Sequence, residues 1–232
     1  MNFLYRHRVI LGVLCLVLVV VFTFGVCFLA LARTTAQAQN LVIVIDPGHG
    51  GIDGGVVGVE TGTKESDINL SLSRILQGQL EEVGFSVVLT RTSEAGLYGT
   101  TAPGYKKRDM KKRAEIIRDN APALVVSVHQ NFFSLRSRRG AQVFYREGSE
   151  PSFLLACSLQ SAFNKMPECV KQTNPLTGDY FMLNCSDYPS VIVECGFLSN
   201  AEDEALLVTR EYQTKIASAI TGGIIGYLSP SS

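Results

Sequence analysis

The chain has 232 residues, 46% of them hydrophobic, and a formal net charge of zero, which allows one globular domain plus an appendage. It carries 21 basic and 21 acidic residues, and three basic ones, Arg6, Arg8 and Arg33, precede every acid in the chain. Subtracting 3 from 21 leaves 18 basic residues against 21 acidic ones in the remainder. This mildly acidic balance argues against a nucleic-acid-binding protein.

The first predicted element is an uncharged apolar run of 24 residues, 9–32. As a helix it would extend about 36 Å, enough for a hydrocarbon core of about 30 Å. Because Arg6 and Arg8 precede it, we expect the amino terminus to stay in the cytoplasm and the rest of the chain to lie outside. Signal-peptidase cleavage near residues 36–38 would release the domain, whereas the length of the run favours a retained anchor. Residues 1–40 are therefore predicted to be a membrane anchor or signal segment with a short linker.

The globular domain, predicted over residues 41–232, opens with a stretch that organises the rest, residues 41–51. Five apolar, mostly β-branched residues predict a short buried strand, and a proline and several glycines end it. Asp46 and His49 are thus carried at the carboxyl end of a central strand, where open α/β sheets bind their ligands. A turn histidine without a function is the alternative at this point.

Helical and extended patterns alternate through the rest of the domain. In chain order they predict a helix over 67–83, a strand over 85–89, a long loop over 94–105, a helix over 109–119, strands over 124–128 and 140–146, a helix over 151–165, short strands over 180–183 and 190–193, and a final helix capped by Thr209. This order predicts an α/β fold with a twisted, mostly parallel six-stranded sheet flanked by helices on both faces.

The cysteines show no metal-binding spacing. Two of the six lie in the apolar run, and Cys157, Cys169, Cys185 and Cys195 lie in the globular domain. If that domain is exported, disulfides are permitted there, and a Cys185–Cys195 bond is conceivable, although the sequence does not establish it. The absence of any C-x-x-C pair argues against a structural zinc site.

Two histidines of the domain, His49 and His129, are carried at the carboxyl ends of predicted strands. Strand ends can converge on one site, and imidazole is a preferred ligand of zinc, which in catalytic sites takes three protein ligands plus water. Glu65, at the start of the first helix, is a candidate third ligand. The alternative for Glu65 is a first-turn acid that interacts with the helix dipole, but the two strand-end histidines favour metal binding.

A second acid, Glu194, ends the apolar run of residues 189–193. An acid at the end of a buried strand is costly unless it is paired or functional. It either caps backbone groups of the following loop, or it serves as general base and then general acid for a metal-activated water.

Taken together, four segments resemble a known family. Residues 46–51, 64–67, 127–131 and 193–200 look like the four blocks of zinc-dependent N-acetylmuramoyl-L-alanine amidases, in the order of that family. The resemblance covers roughly residues 41–228 and implies a zinc enzyme on a twisted, mostly parallel sheet. Such enzymes hydrolyse the amide between the lactyl group of N-acetylmuramic acid and the L-alanine of peptidoglycan stem peptides.

Carried over residue by residue, the resemblance implies that His49, Glu65 and His129 hold Zn²⁺ and that Glu194 is the catalytic glutamate. Asn131 and Arg139, which follow His129, are candidates for substrate contact. Basic residues between 106 and 113 could attract stem-peptide carboxylates, although a solvated helix face is the simpler interpretation.

Three further segments, 109–113, 140–145 and 180–183, are similar to the germination-specific (CwlD-type) amidases of spore formers. This similarity implies removal of stem peptides so that muramic-δ-lactam can form in the spore cortex, by an extracytoplasmic enzyme in the space around the forespore. Peptidoglycan strands and stem peptides, the membrane and an unidentified accessory protein are the expected partners. The alternatives are a wall amidase of division or autolysis, another zinc hydrolase, and a non-catalytic wall-binding or activator protein.

Overall fold

A computed structural model describes residues 8, 12–25 and 41–229 of the chain. The chain divides into two units, Met1–Asn40 and Leu41–Ser232. In the first unit, residues 12–25 are helical and their side chains are exposed. The apolar run predicted to span a membrane extends beyond these residues at both ends. Within the described part of the chain, no helix combines the length and the apolar character needed to cross a membrane.

The second unit is built on a six-stranded sheet with the order β2-β1-β3-β6-β4-β5. Its strands are β1 (Val42–Pro47), β2 (Ser86–Leu89), β3 (Leu124–Asn131), β4 (Gln142–Tyr145), β5 (Leu176–Thr177) and β6 (Ser190–Phe197). Four neighbouring pairs are parallel, as predicted, but β4 runs antiparallel to β6, so the sheet is mixed. Strand β4 runs in the opposite direction because a loop without a crossover helix connects it to β3. The chain therefore enters β4 at the same edge of the sheet at which it leaves β3.

Six helices accompany the sheet between residues 41 and 229. They are α1 (Glu65–Glu82), α2 (Tyr105–Asn120), α3 (Glu150–Asn164), α4 (Phe181–Asn184), α5 (Ala201–Leu207) and α6 (Arg210–Leu228). Helix α6 packs against α1 and α3, and the Thr209 hydroxyl accepts a hydrogen bond from the Tyr212 N–H at its start, as predicted. On the sheet, Val44 and Val125 form a core cluster with Ile117 of α2 and Met182 of α4.

The prediction of a strand over residues 180–183 was wrong, since this segment enters helix α4. Met182 and Leu183 are neighbours in the chain, and both are buried. In a strand exposed on one face, only one of the two would be buried, because consecutive side chains point to opposite faces. A four-residue apolar run does not distinguish helix from strand by its periodicity. The short elements β5 and α5 were not predicted at all.

The carboxyl-terminal halves of β3 and β6 and the turn after β1 bring His129, Glu194 and His49 to one edge of the sheet, and both β3 and β6 extend beyond their predicted bounds. These three strands are parallel neighbours with almost entirely buried residues, as is typical of strands covered on both faces. Pro47 of β1 pairs with Val128, and His129 of β3 pairs with Glu194 of β6. His129 and Glu194 therefore lie side by side, and His49 follows β1 at the same edge.

Candidate active site

Side chains of His49, Glu65 and His129 converge above this edge of the sheet. One ligand atom from each lies within 4.8 Å of the others. The Glu65 carboxylate stands between the rings, with Oε2 at 3.3 Å from His49 Nε2 and Oε1 at 2.9 Å from His129 Nδ1. The ring centroids are 5.0 Å apart. The structure thus brings together the three residues expected to hold a metal.

Backbone conformation allows this close approach. His49 has a positive φ of 62°, a left-handed conformation that is uncommon outside glycine and often occurs at functional sites. Gly48 precedes it, and a side chain at that position would overlap the His129 ring. The Pro-Gly-His order is therefore required sterically, because only glycine lets the turn after β1 lie against the imidazole of β3.

Glu65 is held as an anion. Its Oε1 accepts hydrogen bonds from the Gln130 N–H at 3.1 Å and from Asn69 Nδ2 at 3.3 Å, and its Oε2 accepts one from the Val56 N–H at 2.9 Å. Burial by itself would raise the pKa of Glu65, but hydrogen bonds and charge from His129 and His49 bring it well below its usual range. A fixed carboxylate between two imidazoles is a suitable metal ligand.

Glu194 lies at the same edge but has a different environment. It lines a cavity of about 620 Å³ together with His49, Glu65 and His129. Its Oε2 is buried without a hydrogen-bond partner among the described residues. Burial, with a smaller contribution from the charge of Glu65, raises the pKa of Glu194 to about 7, although the charge of His129 opposes the rise. A carboxyl group in this state is suited to accept and return a proton.

The site also contains an acid that the sequence interpretation missed. Asp53 Oδ1 lies 3.2 Å from His49 Nδ1, and its Oδ2 lies 3.4 Å from Lys106 Nζ. A carboxylate on the second nitrogen of a metal-binding histidine fixes the orientation and tautomer of its ring. The available signal was the glycine-rich stretch around Asp53, four residues after His49.

A buried arginine, Arg113 of α2, holds the turn of residues 47–49 by hydrogen bonds. It is fully buried and donates to Asp46 Oδ1 and Asp109 Oδ2, each at 2.6 Å. It also donates to the carbonyl oxygens of Pro47 at 2.8 Å and His49 at 2.5 Å. The interpretation of residues 106–113 as a solvated helix face was therefore wrong for Arg113. The spacing of four residues from Asp109 to Arg113 and on to buried Ile117 could have revealed its inward position.

A second arginine, Arg91, follows β2 and forms hydrogen bonds with the same turn. Arg91 Nε donates to the Pro47 carbonyl oxygen at 2.9 Å, and its Nη2 donates to those of Gly48 at 3.0 Å and Ser66 at 2.8 Å. Arg91 and Arg113 together bind all three carbonyl groups of the turn that presents His49. This explains how the strained backbone of His49 is held in place.

Of the two substrate-contact candidates, Asn131 lines the cavity and Arg139 does not. Arg139 forms ion pairs with Glu202 and Asp203 and lines a neighbouring cleft, to which Asn131 also contributes. The neighbouring arginines, Arg136 and Arg138, carried no signal for this pairing, because the partners of Arg139 lie more than sixty positions away in the chain. Cys185 and Cys195 are both free thiols, so the conceivable disulfide is not formed.

Fold and site together define a class of protein. Two histidines and a carboxylate with a separate buried glutamate, at the carboxyl edge of an α/β sheet, have the arrangement of a metal-dependent hydrolase. The family model described as N-acetylmuramoyl-L-alanine amidase matches residues 43–226. The chain belongs to the N-acetylmuramoyl-L-alanine amidase family, and the prediction that it is an enzyme of this kind is confirmed.

Similar proteins agree with this assignment. The chain is 32% identical over 192 residues to the germination-specific N-acetylmuramoyl-L-alanine amidase of Bacillus subtilis strain 168, covering 81% of this chain and 80% of that protein. It is 36% identical to the CwlD amidase from Clostridioides difficile, solved in complex with the GerS lipoprotein, with a TM-score of 0.79 over 83% of this chain and 100% of that chain. An N-acetylmuramoyl-L-alanine amidase from Clostridium difficile 630 is 26% identical, with a TM-score of 0.74 over 84% and 100% of the two chains. The resemblance to the germination-specific group is likewise confirmed.

Proposed function

We propose that the domain is a zinc-dependent amidase that hydrolyses the bond between the lactyl group of N-acetylmuramic acid and the L-alanine of peptidoglycan stem peptides. The observation that carries this proposal is the convergence of His49, Glu65 and His129 beside Glu194 in one cavity. The family to which the chain belongs supports the reaction.

Zinc fits the residues present. Two imidazoles and one carboxylate form a three-ligand set, which leaves a coordination position open for water or substrate. Glu65 is already deprotonated, as a ligand must be. When bound there, zinc would polarise the lactyl carbonyl group and acidify a water molecule.

The protein's own residues account for the proton transfers and the positioning. Glu194 accepts a proton from the attacking water and returns it to the nitrogen of the leaving L-alanine, which is the general base and general acid sequence of amide hydrolysis. Asp53 holds the His49 ring through Nδ1. Arg91 and Arg113 hold the turn that carries His49.

Mass spectrometry of purified peptidoglycan, incubated with the zinc-loaded domain, tests the proposed reaction. We expect muramic acid without peptide and stem peptides with a new alanine amino terminus, and neither product from His129→Ala. Cleavage within the stem peptide would indicate a peptidase, and loss of acetyl groups would indicate a deacetylase. Peptidoglycan bound but left intact would indicate a wall-binding protein.

We further propose that the enzyme acts during spore formation, where it removes stem peptides before muramic-δ-lactam forms in the cortex. The likeness to the germination-specific amidase of Bacillus subtilis supports this setting. A strain that lacks the protein should grow normally and make spores poor in muramic-δ-lactam. Failed cell separation with an unchanged cortex would instead place it among division amidases.

Extracytoplasmic action follows from this substrate, and we propose that residues 9–32 retain the domain at the membrane. The composition of that run and the preceding Arg6 and Arg8 support the orientation. Protease added to intact protoplasts should remove the domain, and full protection would refute the topology.

Because the related CwlD amidase was solved in complex with the GerS lipoprotein, we also propose an accessory protein as a partner of this enzyme.

Zinc affinity should depend on Asp53 as well as on the ligands. Asp53→Ala frees the Nδ1 side of His49, and loss of such a partner typically weakens metal binding about 10–100-fold. Competition with a chelator measures the effect, and His49→Ala or His129→Ala should retain almost no zinc.

Lys106→Gln is the matched control, since it removes the cation that pairs with Asp53 and leaves the carboxylate in place. It should bind zinc about as tightly as the wild type. Unchanged zinc affinity in Asp53→Ala would show that Asp53 does not orient His49.

A further inference from the structure

Beside the catalytic cavity lies a second cleft, of about 530 Å³. It is bounded by the loop that leads into β4, by the segment that follows α3 and by β5. Asn131 lines both the cleft and the cavity. Gln142, which lines the cleft, pairs in the sheet with Glu194. The cleft therefore begins one strand away from the catalytic glutamate.

An aromatic pair lies along the boundary between the two spaces. Tyr180 lines the cavity and Phe144 lines the cleft, and their rings meet edge to face with centroids 5.6 Å apart. A substrate with its scissile amide at Glu194 would thus continue into the cleft without leaving the protein surface.

The cleft carries positive charge that no acid of the described part of the chain neutralises. Among the described residues, Arg138 and Lys171 at its wall have no ion-pair partner, and the Arg138 guanidinium lies 4.7 Å from the centroid of the Phe133 ring. Glu168, the acid of the lining, is paired with Lys215 at 3.0 Å. An anionic ligand would find complementary charge here.

Unsatisfied polar atoms also occur in the cleft. Within the described residues, Thr173 Oγ1 and Glu168 Oε2 are buried without a hydrogen-bond partner, and both residues line the cleft. Buried polar atoms are normally satisfied. A hydroxyl group and a carboxylate oxygen are suited to the N–H and C=O groups of a peptide.

We propose that this cleft is the subsite for the stem peptide, which rests on the proposed amidase function. In it, Arg138 and Lys171 bind the carboxylates that follow L-alanine, beginning with the free α-carboxylate of a γ-linked D-glutamate. Thr173 and Glu168 bind peptide groups of the same segment. The subsite orients the substrate by charge and adds nothing to the chemical step.

Two matched substrates test the assignment: a muramoyl peptide with D-isoglutamate in the second position, and the same peptide with D-isoglutamine, whose α-carboxylate is replaced by an amide. For the double variant Arg138→Gln/Lys171→Gln, we expect KM for the carboxylate substrate to rise roughly 3–30-fold, as two exposed charge pairs allow. We expect kcat to stay constant, because ground state and transition state lose the same binding. KM for the amidated substrate should change by less than about twofold.

Lys107→Gln is the control, because it removes an exposed charge of α2 that lines neither space. It should leave both KM values at the wild-type level, and thermal unfolding should show that all variants are folded. Equal KM changes for the two substrates, or none, would overturn the subsite while the wild type still cleaves both. If the wild-type enzyme cleaves neither substrate, the proposed function fails and the subsite with it.

Discussion

Glu194→Gln is expected to retain zinc and fold and to lose roughly 10²–10⁴-fold in amide hydrolysis, the usual contribution of a general base. Glutamine keeps the size of the side chain and its capacity for hydrogen bonds but cannot accept the proton. Zinc should remain because the three proposed ligands, His49, Glu65 and His129, are unchanged, and a fourth protein ligand would close the open position. Glu194 Oε2 has no hydrogen-bond partner within residues 41–229, which agrees with a group that faces a reactant.

Glu65→Gln is the matched variant for this experiment. It places the same chemical change on the other carboxylate of the cavity, and it should lose zinc as well as activity. Zinc titration alongside a rate assay on both variants separates the two roles. If Glu194→Gln loses the metal while Glu65→Gln keeps it, the assignment of the two acids is reversed.

Arg113→Met should destabilise the domain by about 3–5 kcal/mol, the cost of removing one partner of a buried ion pair. The variant leaves the Asp46 carboxylate buried without its cation. It also frees the carbonyl oxygens of Pro47 and His49. Urea denaturation followed by circular dichroism measures the change in the free energy of unfolding.

The pH dependence of this variant gives a second check. Burial tends to raise the pKa of Asp46, but Arg113, with hydrogen bonds from Ser127 and Thr90, lowers it from 3.8 to about 2. A depressed pKa stabilises the wild type above about pH 4, and this contribution is lost as the pH falls towards 2. In Arg113→Met the Asp46 carboxyl group protonates at higher pH. The difference in the free energy of unfolding between this variant and the wild type should therefore shrink as the pH falls.

Two controls belong with this experiment. Lys112→Met removes an exposed cation from the same helix and should change the free energy of unfolding by less than about 1 kcal/mol. Asp46→Asn/Arg113→Met should cost less than the sum of the two single substitutions, because residues in one buried network are coupled. A deficit of less than about 1 kcal/mol in Arg113→Met would contradict a structural role for the pair.

Much of the site could be predicted because its signals are local in the chain. Short apolar runs before His49, His129 and Glu194 predict buried strands, and such strands carry functional residues at their carboxyl ends. Their parallel arrangement then places the three residues at one edge. The Pro-Gly-His turn likewise follows from residue type, because only glycine fits against the His129 ring.

Other features depended on partners that are distant in sequence. The β4 reversal was missed because a strand pattern does not state its direction, and α4 because a four-residue apolar segment has no readable period. Arg139 gave no sign of its ion pairs with Glu202 and Asp203. Each of these outcomes depends on segments that become neighbours only in the folded chain.

By itself, the sequence determined that His49, His129 and Glu194 lie towards the carboxyl ends of three strands, and to which family the chain belongs, since both are written in contiguous residues. Only the tertiary structure decided that Arg113 is buried under the site, that Asp53 holds His49, and that a cationic cleft adjoins Glu194. The physical reason is that burial and pairing of a charge are properties of its surroundings. Those surroundings come from segments that meet only when the sheet has formed.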